Sequence, residues 1–222
     1  MPNALVIGAS RGIGREFALQ LLRERWKVYA SARDDASLDA LRAAGAEALK
    51  IDVAKPESLS ALGWQLDGVK LDLAVYVAGV IGPGKNAKEP PTTAEFDQVL
   101  HTNVLGAMQS IALVAPLVGE AGGKFAFITS GMGSIAETSN AAWWVYRVSK
   151  AALNMAVKAA ASDYPRTTFV AISPGWVRTD MGGAGASLSV EQSVSGMRRT
   201  LAGVGVKDSG SFLNYDGRHL PW

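Results

Sequence analysis

The chain has 222 residues, of which 48% are hydrophobic, a size that allows one compact domain with a sizeable core. Its net charge of +2 is spread along the chain without a basic run, which argues against nucleic acid as the main partner. Cysteine is absent, which excludes disulfides and thiolate metal sites. No basic-then-apolar leader opens the sequence, and the apolar stretch Val104–Val118 looks too short and too polar to span a membrane. We therefore expect one soluble, cytoplasmic domain over residues 1–222.

Short apolar runs alternate with helical patterns from end to end. The apolar runs predict strands at Ala4–Gly8, Lys27–Ala32, Ala46–Ile51, Leu71–Val77, Lys124–Thr129 and Thr167–Ile172, with a possible seventh at Ser211–Leu213. Helices are predicted at Gly12–Trp26, Ala36–Ala44, Pro56–Leu66, Thr93–Val118, Ala141–Asp163 and Val190–Ala202. Such strand–helix–strand repeats imply parallel strands with helices on both faces. The prediction is an α/β fold, a single doubly wound Rossmann-type domain with a mostly parallel sheet of six or seven strands.

A glycine-rich turn joins the first strand to the first helix. Glycines here permit a tight turn and close approach of the backbone to a pyrophosphate, while the helix start offers unpaired N–H groups. The spacing is G-x-x-x-G-x-G, and a plain glycine turn is the alternative for the glycines alone. Their place at the first strand–helix junction favours a dinucleotide site. The predicted contacts are Gly8, Ser10, Arg11, Gly12, Ile13 and Gly14.

The end of the second predicted strand bears on which nicotinamide cofactor fits. NAD enzymes commonly place an acid there for the ribose 2′-hydroxyl, but here Arg33 follows the strand and the first acid is Asp34. Arg33 and Arg11 could pair with a 2′-phosphate through charge-assisted hydrogen bonds. Solvated surface arginines are the alternative. The sequence predicts a preference for NADP(H) over NAD(H).

Tyr146 and Lys150 are four residues apart in a strong helical pattern, so their side chains share one face. A neighbouring ammonium favours the phenolate, which would lower the pKa of Tyr146 and make it a usable general acid or base. Ser130 follows an apolar strand at the edge where open parallel sheets bind ligands, and its hydroxyl could donate to a carbonyl oxygen. Thr129, Ser134 and Ser139 are rival hydroxyls nearby. Asn103, inside a predicted helix, indicates a hydrogen-bonding duty or a kink.

Together these residues resemble the short-chain dehydrogenase/reductase family over essentially the whole chain. The resemblance rests on the glycine loop, Asp52-Val53, Ala78-Gly79, Asn103, Ser130, Tyr146-x-x-x-Lys150 and Pro174-Gly175. Within the family, the sequence is similar to the C-factor-like carbonyl reductases. The stretches that carry this narrower likeness are residues 146–154, residues 174–183 and the ending Phe212–Gly217 … Pro221-Trp222.

The resemblance implies an NADP(H)-dependent oxidoreductase that reduces aldehydes or ketones, or oxidises the alcohols. It implies that Tyr146 transfers the proton, that Lys150 lowers its pKa and holds the nicotinamide ribose, that Ser130 polarises the carbonyl, and that Asn103 supports a proton relay. It also implies cofactor contacts from Asp52, Val53, Ala78, Gly79, Pro174, Gly175, Val177 and Thr179. A nicotinamide-binding signalling or sensor protein of the C-factor type, with secondary redox activity, remains the alternative.

The sequence departs from the family pattern in two places. Val77 stands where an asparagine usually precedes Ala78, so another group must meet that hydrogen-bonding role. The interval from Ser130 to Tyr146 is longer than usual, which blurs which hydroxyl is catalytic.

The substrate side of the predicted site is apolar. Aromatic and thioether side chains near it would suit a hydrophobic carbonyl compound, although each could equally be core or subunit contact. The candidates are Met132, Trp143, Trp144, Trp176 and Met181. The loop Gly182–Ser189, within a substrate-loop region near residues 176–200, is predicted to be mobile and to close over substrate. The family resemblance implies that the long apolar helices Thr93–Val118 and Ala141–Asp163 associate, which gives a homodimer or homotetramer.

Overall fold

A computed structural model describes all of residues 1–222 and contains one seven-stranded sheet. The strands are β1 (Asn3–Ile7), β2 (Lys27–Ala32), β3 (Glu47–Lys50), β4 (Leu73–Tyr76), β5 (Lys124–Ile128), β6 (Thr168–Ser173) and β7 (Ser211–Asn214). Their order across the sheet is β3-β2-β1-β4-β5-β6-β7, and every pair is parallel. The predicted doubly wound Rossmann-type fold is confirmed, including the possible seventh strand.

Eight α-helices connect the strands. They are α1 (Gly12–Arg23), α2 (Asp35–Ala43), α3 (Pro56–Leu59), α4 (Ala61–Gln65), α5 (Thr93–Leu100), α6 (Gly106–Ala121), α7 (Trp144–Asp163) and α8 (Val190–Gly203). A π-helical turn, His101–Leu105, joins α5 to α6. Two short 3₁₀ turns follow β5 and α8, at Gly131–Gly133 and Val206–Asp208.

Two separate apolar cores cover the two faces of the sheet. One contains Leu5 and Phe127 from the strands together with Val114 of α6 and Leu153 of α7. The other contains Val6 with residues of α1, α2 and α8: Phe17, Leu38, Val194 and Met197. Because alternate residues of a strand point to opposite faces, uninterrupted apolar strands supply both cores.

Several helix boundaries differ from the sequence-based prediction. The first helix ends at Arg23 rather than Trp26, since Arg25 adopts a left-handed conformation with φ of 62°. The segment Pro56–Leu66 divides at Ser60. The helix predicted from Ala141 begins at Trp144, because the preceding Trp143 is also left-handed, with φ of 57°.

The long apolar helix is also longer than expected. Helical structure runs from Thr93 to Ala121, and by length and composition alone this segment could cross a membrane. The expectation that the apolar stretch is too short was therefore wrong. Its place in the fold is that of a core helix, since Ala107, Val114 and Val118 are fully buried against the sheet.

Candidate active site

A cleft of about 460 Å³ opens at the carboxyl ends of the strands, where the strand order reverses between β1 and β4. Open parallel sheets bind ligands at such a switch point, because the flanking helices leave the sheet on opposite faces there. The glycine loop forms one wall of the cleft, and Ala78 and Gly79 after β4 form the facing wall. Tyr146 and Lys150 also line it.

Two of the three glycines of the loop are required by close backbone packing. Gly8 has φ of 93°, and a Cβ added to it would lie 2.7 Å from the backbone nitrogen of Ala78. A Cβ on Gly14 would lie 2.0 Å from the carbonyl oxygen of Gly8. The first turn of α1 thereby sits directly on the loop, and its N–H groups, which no helical partner satisfies, border the cleft.

The end of β2 shapes the adenosine side of the cleft. Ser31 is buried, and its hydroxyl accepts a hydrogen bond of 3.0 Å from the backbone N–H of Gly8, which fixes the start of the glycine loop. Arg33 is exposed and lines the cleft. Asp34 caps α2, accepting from the N–H and the hydroxyl of Ser37, each at 2.8 Å. The acid nearest the strand end is therefore committed to a helix cap.

Arg11 points across the mouth of the cleft. Its guanidinium pairs with the carboxylate of Asp180, and both side chains are exposed. Because exposed ion pairs are weak, this pair leaves Arg11 free to exchange partners.

Tyr146 and Lys150 lie together on the buried face of α7. The Lys150 ammonium nitrogen is 5.5 Å from the centre of the Tyr146 ring, as the four-residue spacing predicts. The same nitrogen donates a 2.9 Å hydrogen bond to the carbonyl oxygen of Ile128 at the end of β5. An ammonium has three donors, so two N–H groups remain to face the cleft.

The pKa values of this pair differ from the expectation. Burial raises the pKa of the Tyr146 phenol to about 12, and the Ser130 side chain offsets part of that rise. Burial also lowers the pKa of Lys150 to about 8. The predicted depression of the tyrosine pKa was wrong for this arrangement, because burial of the phenol disfavours the phenolate more than its partners favour it. At neutral pH Tyr146 is a protonated phenol.

Asn103 is fully buried in the π-helical turn, and its side chain has the hydrogen-bonding duty that was one of the two predicted roles. Its amide oxygen accepts from the N–H of Val80 at 2.8 Å, and its amide nitrogen donates to the Val80 carbonyl and to the Ser149 hydroxyl, each at 2.9 Å. Ser149 in turn donates to the carbonyl oxygen of Tyr146 at 2.8 Å. Asn103 thereby joins the segment after β4 to the helix that carries the tyrosine.

A tyrosine hydrogen bond joins the end of β4 to the π-helical turn. The phenol of Tyr76, fully buried at the end of β4, donates a 2.8 Å hydrogen bond to the carbonyl oxygen of Thr102 in the π-helical turn. A Cβ on Gly106 would lie 2.8 Å from that phenol oxygen, so a glycine there makes room for it. Sequence reasoning missed Tyr76, which reads as an ordinary apolar strand residue.

Among the candidate hydroxyls, Ser130 is the one placed next to Tyr146. It opens the turn Gly131–Gly133, where its oxygen accepts from the Met132 N–H at 3.1 Å, leaving its proton available to a ligand. Thr129 donates to the Asn154 side chain at 2.7 Å, and Ser134 donates to the Pro221 carbonyl at 2.7 Å. These two rivals are buried and bonded to other groups, and the third, Ser139, is exposed.

Most of the predicted cofactor contacts come together in the cleft. Those that line it are Gly8, Ser10, Arg11, Gly12, Ile13, Gly14, Arg33, Asp52, Val53, Ala78, Gly79, Tyr146, Lys150, Pro174 and Thr179. Gly175 and Val177 do not line it, and neither do Asn103 and Ser130. Lining residues that sequence reasoning missed include Ser31, Ile51, Val80, Thr102, Ile128 and Arg178. Ser31, Ile51 and Ile128 lie at strand ends, and that position is the signal that could have found them.

Of the predicted substrate-pocket residues, only Met181 lines the cleft. Met132, Trp143 and Trp144 lie outside its lining, and the Trp144 indole N–H is buried without a partner. Trp143 packs on Gly84, since a Cβ there would lie 3.1 Å from its ring.

Trp176 also lies outside the lining of the cleft, and its side chain contacts the loop that follows β6. It is 59% exposed and donates to the carbonyl of Gly182 at 2.9 Å. Val177 and Leu188 form a parallel bridge that closes the same loop. The predicted mobility of Gly182–Ser189 stays a prediction.

Comparison with known proteins agrees with this geometry. A family model described as short chain dehydrogenase matches residues 2–187. The C-signal protein of Myxococcus xanthus is 38% identical over 132 residues, covering 58% of this chain and 80% of that protein.

Two solved structures resemble the whole chain. A protein of Burkholderia multivorans described as a short-chain dehydrogenase/reductase, with bound NADP, is 33% identical, with a TM-score of 0.90 over 100% of this chain and 99% of that one. The NADPH-bound carbonyl reductase from chicken fatty liver is 29% identical, with a TM-score of 0.90 over the same shares.

The fold and the cleft define a dinucleotide-binding oxidoreductase of the doubly wound α/β class. The chain belongs to the short-chain dehydrogenase/reductase family, and within it is similar to C-signal and to carbonyl reductases, as the sequence motifs predicted.

Proposed function

We propose that this protein is an NADPH-dependent reductase of aldehydes or ketones, which in reverse oxidises the corresponding alcohols. The observation that carries the proposal is a buried, protonated Tyr146 beside Lys150, in one cleft with a glycine cradle. The likeness to NADP-bound and NADPH-bound structures of the family supports it.

The cleft fits a nicotinamide dinucleotide because its backbone leaves room that side chains would fill. A Cβ on Gly8 or Gly14 would meet backbone atoms within 3 Å, so the cradle is shaped by the lack of side chains. The glycine loop and the first turn of α1 would hold the pyrophosphate, Asp52 and Val53 would hold the adenine, and Lys150 would hold the nicotinamide ribose. When bound, the cofactor supplies the hydride.

The remaining chemistry belongs to side chains of this protein. Tyr146 would donate its phenolic proton to the carbonyl oxygen as that oxygen gains negative charge. Ser130 would donate a hydrogen bond to the same oxygen and stabilise the developing alkoxide. Lys150 would keep the phenol oriented, and Asn103 would support the return of a proton toward Lys150. These four roles follow the family resemblance, and the shared buried network is compatible with them.

The preference for NADPH rests on charge at the end of β2. Arg33 lines the cleft with its guanidinium in solvent, while Asp34 is turned into the cap of α2. An acid in the cleft at this place would repel a 2′-phosphate, whereas an arginine attracts it. Arg11 could join Arg33 by leaving Asp180.

We also propose that the protein is a homodimer or homotetramer. Apolar side chains on the outer sides of α6 and α7 remain in solvent, including Met108 at 51% and Met155 at 68% exposure. Their burial between two copies would be favourable, since apolar area removed from water contributes about 25 cal/mol per Å².

The region 176–200, with Met181 at the cleft, would form the substrate side.

The direct test is a panel of aldehydes, ketones and quinones assayed by the loss of NADPH absorbance. We expect turnover of apolar carbonyl compounds, slowed by ~10²–10⁴ in the Tyr146→Phe variant. Turnover that is equal in wild type and variant would refute Tyr146 as proton donor, and a panel without any substrate would refute the reductase.

The likeness to C-signal favours a second candidate, a nicotinamide-binding signalling protein with secondary redox activity. The two candidates differ in what the phenol is for. If signalling depends only on bound cofactor, a Tyr146→Phe variant that still binds NADPH keeps the signal, whereas a reductase loses its function.

A further inference from the structure

The turn that carries Ser130 is held by the last residues of the chain. After β7 the chain reverses at Tyr215–Gly217 and runs back along the strand, with the N–H of Leu220 donating to the Phe212 carbonyl at 2.9 Å. The Trp222 ring then stacks on the buried Phe212 ring, with centroids 5.4 Å apart. The segment Leu220–Trp222 is therefore fixed to the edge of the sheet.

This segment holds the loop that follows Ser130 through hydrogen bonds. The buried Ser134 hydroxyl donates to the Pro221 carbonyl at 2.7 Å. The N–H groups of Ile135 and Ala136 both donate to the Trp222 carbonyl, at 2.6 and 3.1 Å. Three donors of one short loop thus end on two neighbouring carbonyls.

A tight turn connects Ser134 directly to Ser130. The N–H of Ser134 donates to the Gly131 carbonyl at 3.0 Å, and the N–H of Gly133 donates to the Ser130 carbonyl at 2.9 Å. Gly133 lies against the helix of the catalytic pair, since a Cβ there would meet the Lys150 backbone at 2.9 Å. A shift at Ser134 would therefore move the turn across Lys150 and carry Ser130 with it.

We propose that Leu220–Trp222 is a positioning segment for carbonyl reduction, in which Ser134 and Trp222 hold the Ser130 hydroxyl opposite Tyr146. The inference rests on the proposed function, because Ser130 matters only if a carbonyl oxygen is reduced there. It also gives a reason for the long interval between Ser130 and Tyr146, whose extra residues provide the loop that the segment grips.

The test compares Ser134→Ala and Trp222→Ala with two matched controls. Trp222→Phe keeps a ring to stack on Phe212, and Ile135→Ala changes a 76% exposed side chain of the same loop. We expect Ser134→Ala and Trp222→Ala to lower kcat roughly tenfold, less than the ~10²–10³ typical for deleting a donor to an oxyanion. The Kd for NADPH should stay within about twofold, since the glycine loop is untouched. Both controls should behave as wild type.

The pH profile separates positioning from general loss of structure. Tyr146 is faced by Lys150 of its own helix and by Ser130, whose side chain holds the phenol pKa below the value that burial alone sets. A displaced Ser130 should therefore shift the pH dependence of alcohol oxidation to higher pH, in the same direction as Ser130→Ala. Lower activity without that shift would overturn the proposal, as would unchanged kcat in both variants.

Hydrogen exchange provides a readout that does not depend on activity. Amides of residues 131–136 should exchange faster in Ser134→Ala and Trp222→Ala than in the controls, while those of the glycine loop should not change. If the wild type showed no carbonyl turnover, only the proposed function would be refuted, and faster exchange in the two variants would still support the role of Leu220–Trp222 in holding the Ser130 turn. Exchange that is unchanged in both variants would overturn that role.

Discussion

The two halves of the cleft are built in different ways. The nucleotide half, from β1 to β3, is made of backbone: three glycines within seven residues, a helix start and one buried serine hydroxyl on the N–H of Gly8. The catalytic half, from β4 to β7, is made of side chains from distant segments, joined by Asn103, Ser149 and the turn at Ser130. The first half is therefore sensitive to added atoms, and the second to lost hydrogen bonds.

The largest loss of NADPH binding is expected for Gly14→Ala, in the nucleotide half. The new methyl group would lie 2.0 Å from the Gly8 carbonyl oxygen, and only backbone atoms surround it. We expect NADPH binding to weaken at least ~100-fold, equal to about 2.7 kcal/mol, as measured by nicotinamide fluorescence. Gly203→Ala is the matched control, because a Cβ there meets nothing within 4 Å. Near-normal binding by Gly14→Ala would contradict the account of the cradle.

A smaller effect should separate the two cofactors. Arg33→Ala removes the guanidinium at the end of β2, which should weaken NADPH about tenfold, as one charge-assisted hydrogen bond typically contributes 1.5–3 kcal/mol. NADH, which has no 2′-phosphate, should bind nearly as before. The check is the ratio of kcat/KM for the two cofactors in wild type and variant. An equal loss for both would remove Arg33 as the selective residue.

A further effect is expected on stability in the catalytic half. The folded-state pKa of Lys150 is lowered from 10.5 to about 8, so the unfolded chain binds more protons between these values and the free energy of unfolding rises with pH there. The pKa of Tyr146 is raised from 10 to about 12, so stability falls again above pH 10. The slope from one group is at most ~1.4 kcal/mol per pH unit.

Urea unfolding from pH 7 to 11 measures both the rise and the later fall in the free energy of unfolding. Lys150→Met should lack the rise, because no buried ammonium then loses its proton. A rise of the same size in Lys150→Met would assign it to another group.

The difference between the two halves also decides which parts of the site could be predicted from the sequence. The glycine loop, Arg33 and the Tyr146–Lys150 pair lie on single local segments, so spacing alone placed them in the cleft. Tyr76 was missed because its partner, the Thr102 carbonyl, is 26 residues away and has no side-chain signature.

The substrate side is less predictable from the sequence. Trp143 packs on Gly84 and Trp176 bonds to Gly182, contacts that spacing does not predict, and the place of both indoles in a substrate pocket stays a prediction. The tyrosine pKa was misjudged because spacing predicts a neighbouring charge but not the burial of both groups. Long-range partners and desolvation depend on the folded chain.

The most direct measurement is single-turnover mixing of NADPH-loaded enzyme with an aldehyde, for wild type and Tyr146→Phe, followed by nicotinamide absorbance. Because the phenol proton is needed only when the carbonyl oxygen gains charge, we predict an unchanged Kd for NADPH and hydride transfer slowed by ~10²–10⁴. Hydride transfer at a near wild-type rate in the variant would contradict the assignment of Tyr146 as the proton donor.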